Sequence, residues 1–367
     1  MTPGDFGLKI GTVSTSSASH ESETPGYDRP SVEAWIERNV DGLTPPLSWE
    51  RLEGGHSNLT FVLTDAHNKR AVIRRPPMGE LLPKAHDMVR EYTIIAALGS
   101  TTVPVPVAYG LNEDLSITGA KFYVMSEVPG RAMYNVEMVE EYLSLEARAR
   151  VGMSFMETLA ALHSLDPDEV GLGELGRRDG YVQRQIRTWY GSWEASKEGA
   201  AYDDSRIHDL HQFLTENAPE QGPGRVVHGD YGLHNTMLSV DGEVTAVLDW
   251  EIATLGDPLA DFAYALNGWN DPDDEVRVSH ESATLAPGFS RRDELIERYA
   301  TITGADLSQL DYYRVFNYFK TACILHGVYA RYLLGKKSTE GIDVPALKER
   351  MIATIELATL RASDLGS

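Results

Sequence analysis

Apolar residues recur along this chain with two different periods, and the change of period divides it. From about residue 47 the texture is that of strands. "LSWERLEGG" leads to "SNLTFVLTD", and "KRAVIRR" follows the turn-like "DAHN". One helical pattern then intervenes: "KAHDMVREYTIIAALG", with Met88, Tyr92 and Ile95 at helical spacing and Gly99 as its stop. "VPVPVAYG" is expected to be extended, because a residue preceding proline is pushed out of the helical region. "KFYVMSEV" reads as a buried strand closed by Pro129-Gly130. Beyond this point the period becomes helical. "EARARVGMSFMETLAALHSL" sets Val151, Phe155, Leu159 and Leu162 on one face. Further helices are predicted over roughly 180–195, 205–218, 291–303, 308–335 and 344–362. The exception is "RVVHGDYGLHNTMLSVDGEVTAVLDWE", where two short strands flank the hairpin signal Asp241-Gly242.

The pattern therefore predicts an α+β chain with a small strand-rich lobe and a larger helical lobe holding one hairpin. A length of 367 residues agrees, since it exceeds one compact core. The first 27 residues ("GTVSTSSASHESETPG" and its surroundings) have little to bury and read as a flexible tail; order is expected near Ser31, as N-cap of "SVEAWIERNV". The expected bounds are 1–27 for the tail, 28–128 for the N-lobe and 129–367 for the C-lobe.

Charge narrows the partners. With 33 basic and 55 acidic residues the chain carries −22, which repels phosphate backbones and anionic membranes and argues against nucleic-acid or membrane-surface binding. No run of 18 apolar residues or signal-like start is present, so a soluble cytoplasmic protein without a membrane span is expected. The single cysteine, Cys323, excludes an internal disulfide and reads as a buried small hydrophobe within "FKTACILHGVYARYLLG". Oligomeric state is not readable.

The densest chemistry is "HGDYGLHN", residues 228–235, with "DWE" on the far side of the hairpin. Closure of the hairpin is expected to bring Asp230, Asn235 and Asp249 together, a hard-oxygen set suited to magnesium with bound phosphates. Two alternatives stand beside this: a transition-metal site on His228, Asp230 and His234, and a plain polar loop. The first lacks a cysteine or third clustered histidine, and its histidine spacing suits neither one helix face nor one strand face. His228 reads as a buried residue that shapes the loop, and His234 receives no role. Asp257-Pro258 is read as N-cap and first turn of the next helix.

The pattern His228-x-Asp230-x-x-x-x-Asn235, followed by Asp249 in "LDWE", resembles the catalytic loop and metal-binding segment of protein kinases. The variants H-G-D and D-W-E look like the aminoglycoside phosphotransferase and choline kinase branch. The resemblance implies a bilobal protein-kinase-like fold, with a small antiparallel-sheet N-lobe and a larger mainly helical C-lobe. It also implies Asp230 as catalytic base, Asn235 and Asp249 as ligands of Mg2+, and Asp261 as a brace for the catalytic-loop backbone. ATP or GTP would be the phosphoryl donor and a small-molecule hydroxyl the acceptor.

In that frame "LEGGHSNLTF" is the cover over the phosphates, with Gly54, Gly55, Ser57 and Asn58. "AVIR" takes the place of V-A-I-K, putting Arg74 where kinases have lysine and Val72 beneath the adenine. Glu91 is the helix glutamate expected to pair with Arg74, and the backbone at Glu127 and Val128 is expected to meet the adenine edge. "GGHSNLTF", "VIRRPP", "AHDMVREY" and "VPVPVAYG" are more specifically similar to the kinase-like part of acyl-CoA dehydrogenase family members 10 and 11. The acceptor expected is a hydroxyacyl or lipid-derived compound or an aminoglycoside-like cation. Trp189, Trp193, Trp269 and Tyr264 are candidates for its pocket, though most are expected in the core. A nucleotide-binding pseudokinase acting as a regulatory or interaction module is the alternative that Arg74 raises. A true protein kinase is disfavoured because no A-P-E-like segment follows Asp249.

Overall fold

The computed structural model describes residues 24–52, 58–79, 86–277, 282–336, 339 and 342–366. These separate into two compact units: residues 24–129 with Thr245–Glu251, and Gly130–Val244 with everything from Ile252 onward.

The first unit runs α1 (Arg29–Asn39), β1 (Ser48–Arg51), β2 (Leu59–Thr64), β3 (Arg70–Arg75), α2 (Met88–Leu98), β4 (Ala108–Asn112), α3 (Leu115–Thr118) and β5 (Phe122–Ser126). Its five strands form one antiparallel sheet in the order β1-β2-β3-β5-β4. The β2–β3 turn is fastened by Asp65, whose Oδ1 accepts from the N–H groups of His67 and Lys69, while Asn68 takes a left-handed φ of 62°. Strand alternation sends Phe61, Leu63, Ala71, Ile73, Phe122 and Val124 into a core with Trp35 and Ile36. Burying each large side chain stabilises by roughly 1.5–3 kcal/mol. The same alternation puts Val72 and Arg74 on the opposite face, with Arg74 opposite Thr60 and Tyr123.

Order begins earlier than Ser31. The helix starts at Arg29 with Asp28 as N-cap residue, because Pro30 suits a first helical turn. Tyr27, assigned above to the tail, is buried in the core and donates its hydroxyl to the Leu59 carbonyl at 3.0 Å. In α2 the buried stripe is Met88, Glu91, Ile94, Ile95 and Leu98, with Tyr92 only half-buried. Gly99 is its C-cap residue in a right-handed conformation, so the stop does not use glycine's positive φ.

The second unit contains α4 (Val136–Tyr142), α5 (Leu145–Ser164), α6 (Tyr181–Ala200), α7 (Ser205–Glu216), β6 (Arg225–Val227) and β7 (Thr236–Leu238). The chain continues through β8 (Val244–Val247), β9 (Thr254–Gly256), α8 (Pro258–Asn267), α9 (Arg292–Thr303), α10 (Leu310–Leu333) and α11 (Val344–Leu365). The hairpin turn at Asp241-Gly242 is present, closed by Ser239 N–H to the Glu243 carbonyl, with Gly242 at φ 86°. A Cβ on Gly242 would also collide with the Ala147 carbonyl.

One pairing was not anticipated: β6 and β9 are antiparallel, Arg225 opposite Gly256 and Val227 opposite Thr254. Since β6 ends just before His228 and β9 just before Asp257, this short ladder delivers the polar loop to the start of α8.

Candidate active site

The loop after β6 is held from α8. Asp257 caps that helix, accepting from Leu259 N–H at 3.0 Å, and Pro258 fills its first turn. One turn on, the buried carboxylate of Asp261 accepts from His228 N–H at 2.7 Å and Gly229 N–H at 2.8 Å. This is the brace expected of it, and Gly229 needs its φ of 85° to present that N–H. His163 of α5 meets Asp261 at 3.2 Å and the Tyr299 hydroxyl at 2.7 Å. Burial would raise the Asp261 carboxyl, but His163, His228 and the Gly229 N–H more than offset it and hold it low.

Asp230 follows with both carboxylate oxygens engaged. Oδ1 accepts the Tyr264 hydroxyl at 2.5 Å. Oδ2 accepts the Asn235 amide at 3.0 Å and lies 3.3 Å from His234 Nε2. Asn235 Nδ2 also reaches the Asp230 carbonyl at 3.0 Å, so the amide nitrogen is committed to Asp230 and its oxygen is the atom left for a cation. Burial alone would lift the Asp230 carboxyl; His234, Tyr264 and His228 instead bring it down to about 2, so it is ionised at any physiological pH. His228 is fully buried, its Nδ1 accepting from Asp230 N–H at 3.3 Å. Beneath the loop, buried Lys320 of α10 donates to the Gly229 carbonyl at 3.0 Å and lies 4.8 Å from the Tyr264 ring centre.

The strand unit carries a second cluster. Arg74 is 3.5 Å from Glu91 and 3.4 Å from Asp249. Glu91 is buried and takes the Tyr123 hydroxyl on Oε2 at 2.7 Å, while its Oε1 is buried with no hydrogen-bond partner. Burial lifts the Glu91 carboxyl to about 7; Arg74 pulls it down, and Asp249 pushes it up again. For Arg74, burial is outweighed by Glu91, Tyr123, Asp249 and Glu251, and it stays charged. Asp249 sits at φ 63°, a left-handed value that aspartate tolerates better than most residues. Oxygens of Glu91, Asp249 and Glu251 lie within 4.8 Å of one another. Three carboxylates around one guanidinium leave negative charge in excess, and the donors are hard oxygens, so the residues suit a magnesium ion.

Of the expected site residues, Asp230 with Asn235, and Arg74 with Glu91 and Asp249, are thus brought together within their own units. Val72 is buried on the Arg74 face of β3. Asn58 is buried just ahead of β2; Gly54, Gly55 and Ser57 lie outside the described residues. The Glu127 side chain grips Arg70 at 2.5 and 2.8 Å, which leaves its backbone for any ligand contact, and Val128 is half-buried. Trp189, Trp193 and Trp269 are buried, with their indole N–H groups on Gln185, Asp203 and the Ser290 carbonyl, as core residues. Sequence reasoning missed His163, Lys320, Glu251 and the bond from Tyr264. Only Glu251 had a local signal, as the last letter of "DWE". No helix among the described residues is long and apolar enough to cross a membrane.

Residues 48–295 match the model of a phosphotransferase enzyme family. The chain belongs to that family. It is 33% identical over 341 residues to human acyl-CoA dehydrogenase family member 11, covering 91% of this chain and 43% of that protein. To mouse family member 10 it is 32% identical, covering 83% of this chain and 29% of the relative. The chain thus spans less than half the length of these curated relatives. Among solved structures, a candidate aminoglycoside phosphotransferase from Ralstonia eutropha JMP134 superposes with a TM-score of 0.78 at 29% identity, covering 92% of this chain and 99% of the other. Choline kinase from Cryptosporidium parvum has the same fold, with a TM-score of 0.63 at 12% identity over 90% of this chain and 95% of its own. The fold is therefore protein-kinase-like, a small antiparallel-sheet unit followed by a mainly helical one.

Proposed function

We propose that this phosphotransferase moves the γ-phosphate of ATP or GTP to a hydroxyl of a small molecule, with Asp230 as the base. The observation that carries this is the Asp230 carboxylate, ionised and fixed on a loop whose backbone N–H groups are clamped by Asp261. A carboxylate this acidic is a poor proton sink before reaction. It suits a loose phosphoryl transition state, where the base orients the hydroxyl and takes its proton late. Most of the acceleration then comes from positioning and charge neutralisation.

In this reading residues 28–128 hold the nucleotide and 129–367 supply the base and acceptor pocket. Gly54, Gly55, Ser57 and Asn58 cover the phosphates, Val72 lies beneath the base, and the backbone at Glu127 and Val128 meets its edge. Arg74, aimed by Glu91, grips the α/β-phosphates, where a guanidinium binds in forked fashion. Asn235 and Asp249 hold Mg2+, which when bound neutralises phosphate charge. Nucleotide use is supported by the fold neighbour APH(4)-Ia, solved with ADP and hygromycin B. The acceptor is a hydroxyacyl or lipid-derived compound, as the acyl-CoA dehydrogenase relatives suggest, or an aminoglycoside-like cation. A cytoplasmic setting fits the buried lone cysteine.

The bond from Arg74 to Asp249 favours a second reading, a nucleotide-binding module without turnover. A nucleotide-consumption screen across aminoglycosides, amino alcohols and hydroxyacyl-CoA compounds separates the two. One acceptor class should raise ADP or GDP release at least about tenfold over background. Nucleotide binding with no turnover for any class would favour the module, and no nucleotide binding would refute both.

A further inference from the structure

Asp230 is held by more than its own loop. Asp257, Asp261 and Tyr264 lie along α8, with Asp261 fixing the His228 and Gly229 N–H groups and Tyr264 reaching the next residue's side chain. The Tyr264 hydroxyl donates to Oδ1 of Asp230 at 2.5 Å, while the ring lies under the Lys320 ammonium, 4.8 Å from its centre. Lys320 is itself buried, and its bond to the Gly229 carbonyl ties α10 to the residue just before Asp230. The two helices therefore meet the loop at neighbouring residues, Gly229 and Asp230, and Tyr264 touches both Asp230 and Lys320.

A cation over a tyrosine ring draws density from the ring and makes its O–H a stronger donor. The geometry then divides the two oxygens of Asp230. Oδ1 is tied to a phenol that burial keeps protonated, so the hydroxyl can go on donating to it. Oδ2 faces an amide and an imidazole, both neutral-capable donors at 3.0 and 3.3 Å on a part-exposed side.

We propose that Tyr264, set in place by Lys320, is a positioning residue that locks Oδ1 of Asp230, so that Oδ2 is the oxygen offered to the acceptor hydroxyl. This rests on the reading of Asp230 as base. Tyr264 touches no reacting atom; it removes rotation about the Asp230 Cβ–Cγ bond, which would otherwise dilute the productive orientation.

The test is Tyr264→Phe, which keeps the ring under Lys320 and removes only the hydroxyl. Two readouts are taken: the Asp230 rotamer in a crystal structure of the variant, and steady-state kinetics in the full chain with whichever acceptor the screen identifies. The expected result is an Asp230 carboxylate spread over more than one orientation. Turnover of the folded fraction should fall about 10- to 100-fold while the nucleotide KM stays put; the melting temperature falls by no more than the loss of one charge-assisted bond brings. A purely structural tyrosine would lower the melting temperature but leave turnover of the folded fraction intact, and intact turnover overturns the proposal. So does an Asp230 that keeps its single orientation in the variant. If the carboxylate becomes mobile yet turnover is unchanged, the assignment of Asp230 as base fails, and the proposal falls with it. Lys320→Met provides the second variant: its effect on turnover should have the same sign and should shrink when added to Tyr264→Phe, leaving only the part due to its bond to the Gly229 carbonyl. Full additivity of the two would mean that Lys320 does not act through Tyr264.

Discussion

Replacing Asp261 by asparagine tests how the candidate catalytic loop is held. The carboxylate is buried and accepts two backbone N–H groups at 2.7 and 2.8 Å, with His163 at 3.2 Å. Hydrogen bonds to a charged acceptor contribute about 1.5–3 kcal/mol each, and a buried donor left without a partner costs about 1–3 kcal/mol. Asparagine keeps one oxygen, so one N–H retains a weaker, neutral bond. The amide's NH2 turns towards the other N–H, donor against donor. The expected loss is therefore about 3–5 kcal/mol, a large share of the ~5–15 kcal/mol that folded proteins possess. Urea unfolding followed by tryptophan fluorescence gives the stability, and turnover measured below the transition gives the functional cost. Because the affected N–H groups belong to the two residues just before Asp230, turnover should drop about 100-fold even in the folded fraction. A loss under about 1 kcal/mol with turnover intact would show that Asp261 does not shape the loop.

Three further outcomes are expected. Arg74→Ala should weaken nucleotide binding by about 10- to 100-fold in calorimetry, the equivalent of one or two lost charge-assisted bonds; unchanged affinity would remove Arg74 from the nucleotide site. Glu91 is held up near 7, above its ordinary 4.5, so the folded state binds its proton more tightly. Its contribution to stability is present below pH 4.5 and is lost as pH rises through about 7, at most ~3 kcal/mol. Glu91→Gln should flatten that part of the stability–pH curve, and an unaltered slope would contradict the burial argument. Asp230 has the opposite sign: brought down to about 2 from 3.8, it stabilises above pH 3.8 and loses about 2 kcal/mol as pH falls through 2. The wild-type curve should therefore converge on that of Asp230→Asn in acid, and parallel curves would refute the assigned shift.

How much of this was legible in the sequence depended on distance along the chain. Strand alternation placed Val72 and Arg74 on one face, and the family pattern, not the helical stripe read through Met88, Tyr92 and Ile95, paired Glu91 with Arg74. Asp257 was readable because a cap and its first turn are local, and Asp261 because the family pattern has an aspartate there. The long-range partners were not. Lys320 and His163 lie on apolar helices whose period marks them only as buried, and periodicity carries no information on what a buried polar group faces. Tyr264 looked like any core aromatic until its hydroxyl was seen on Asp230. The β6–β9 ladder escaped notice because each strand is only three residues long. Likewise Ser31 seemed the better cap, but a proline one residue earlier moved the helix start forward.

The central claim is that Asp230 serves phosphoryl transfer and not nucleotide binding. Asp230→Asn, isosteric and uncharged, should bind ATP or GTP with magnesium as the wild type does, while acceptor-dependent ADP or GDP release falls by about 100-fold or more. Equal turnover in the two proteins would contradict the account.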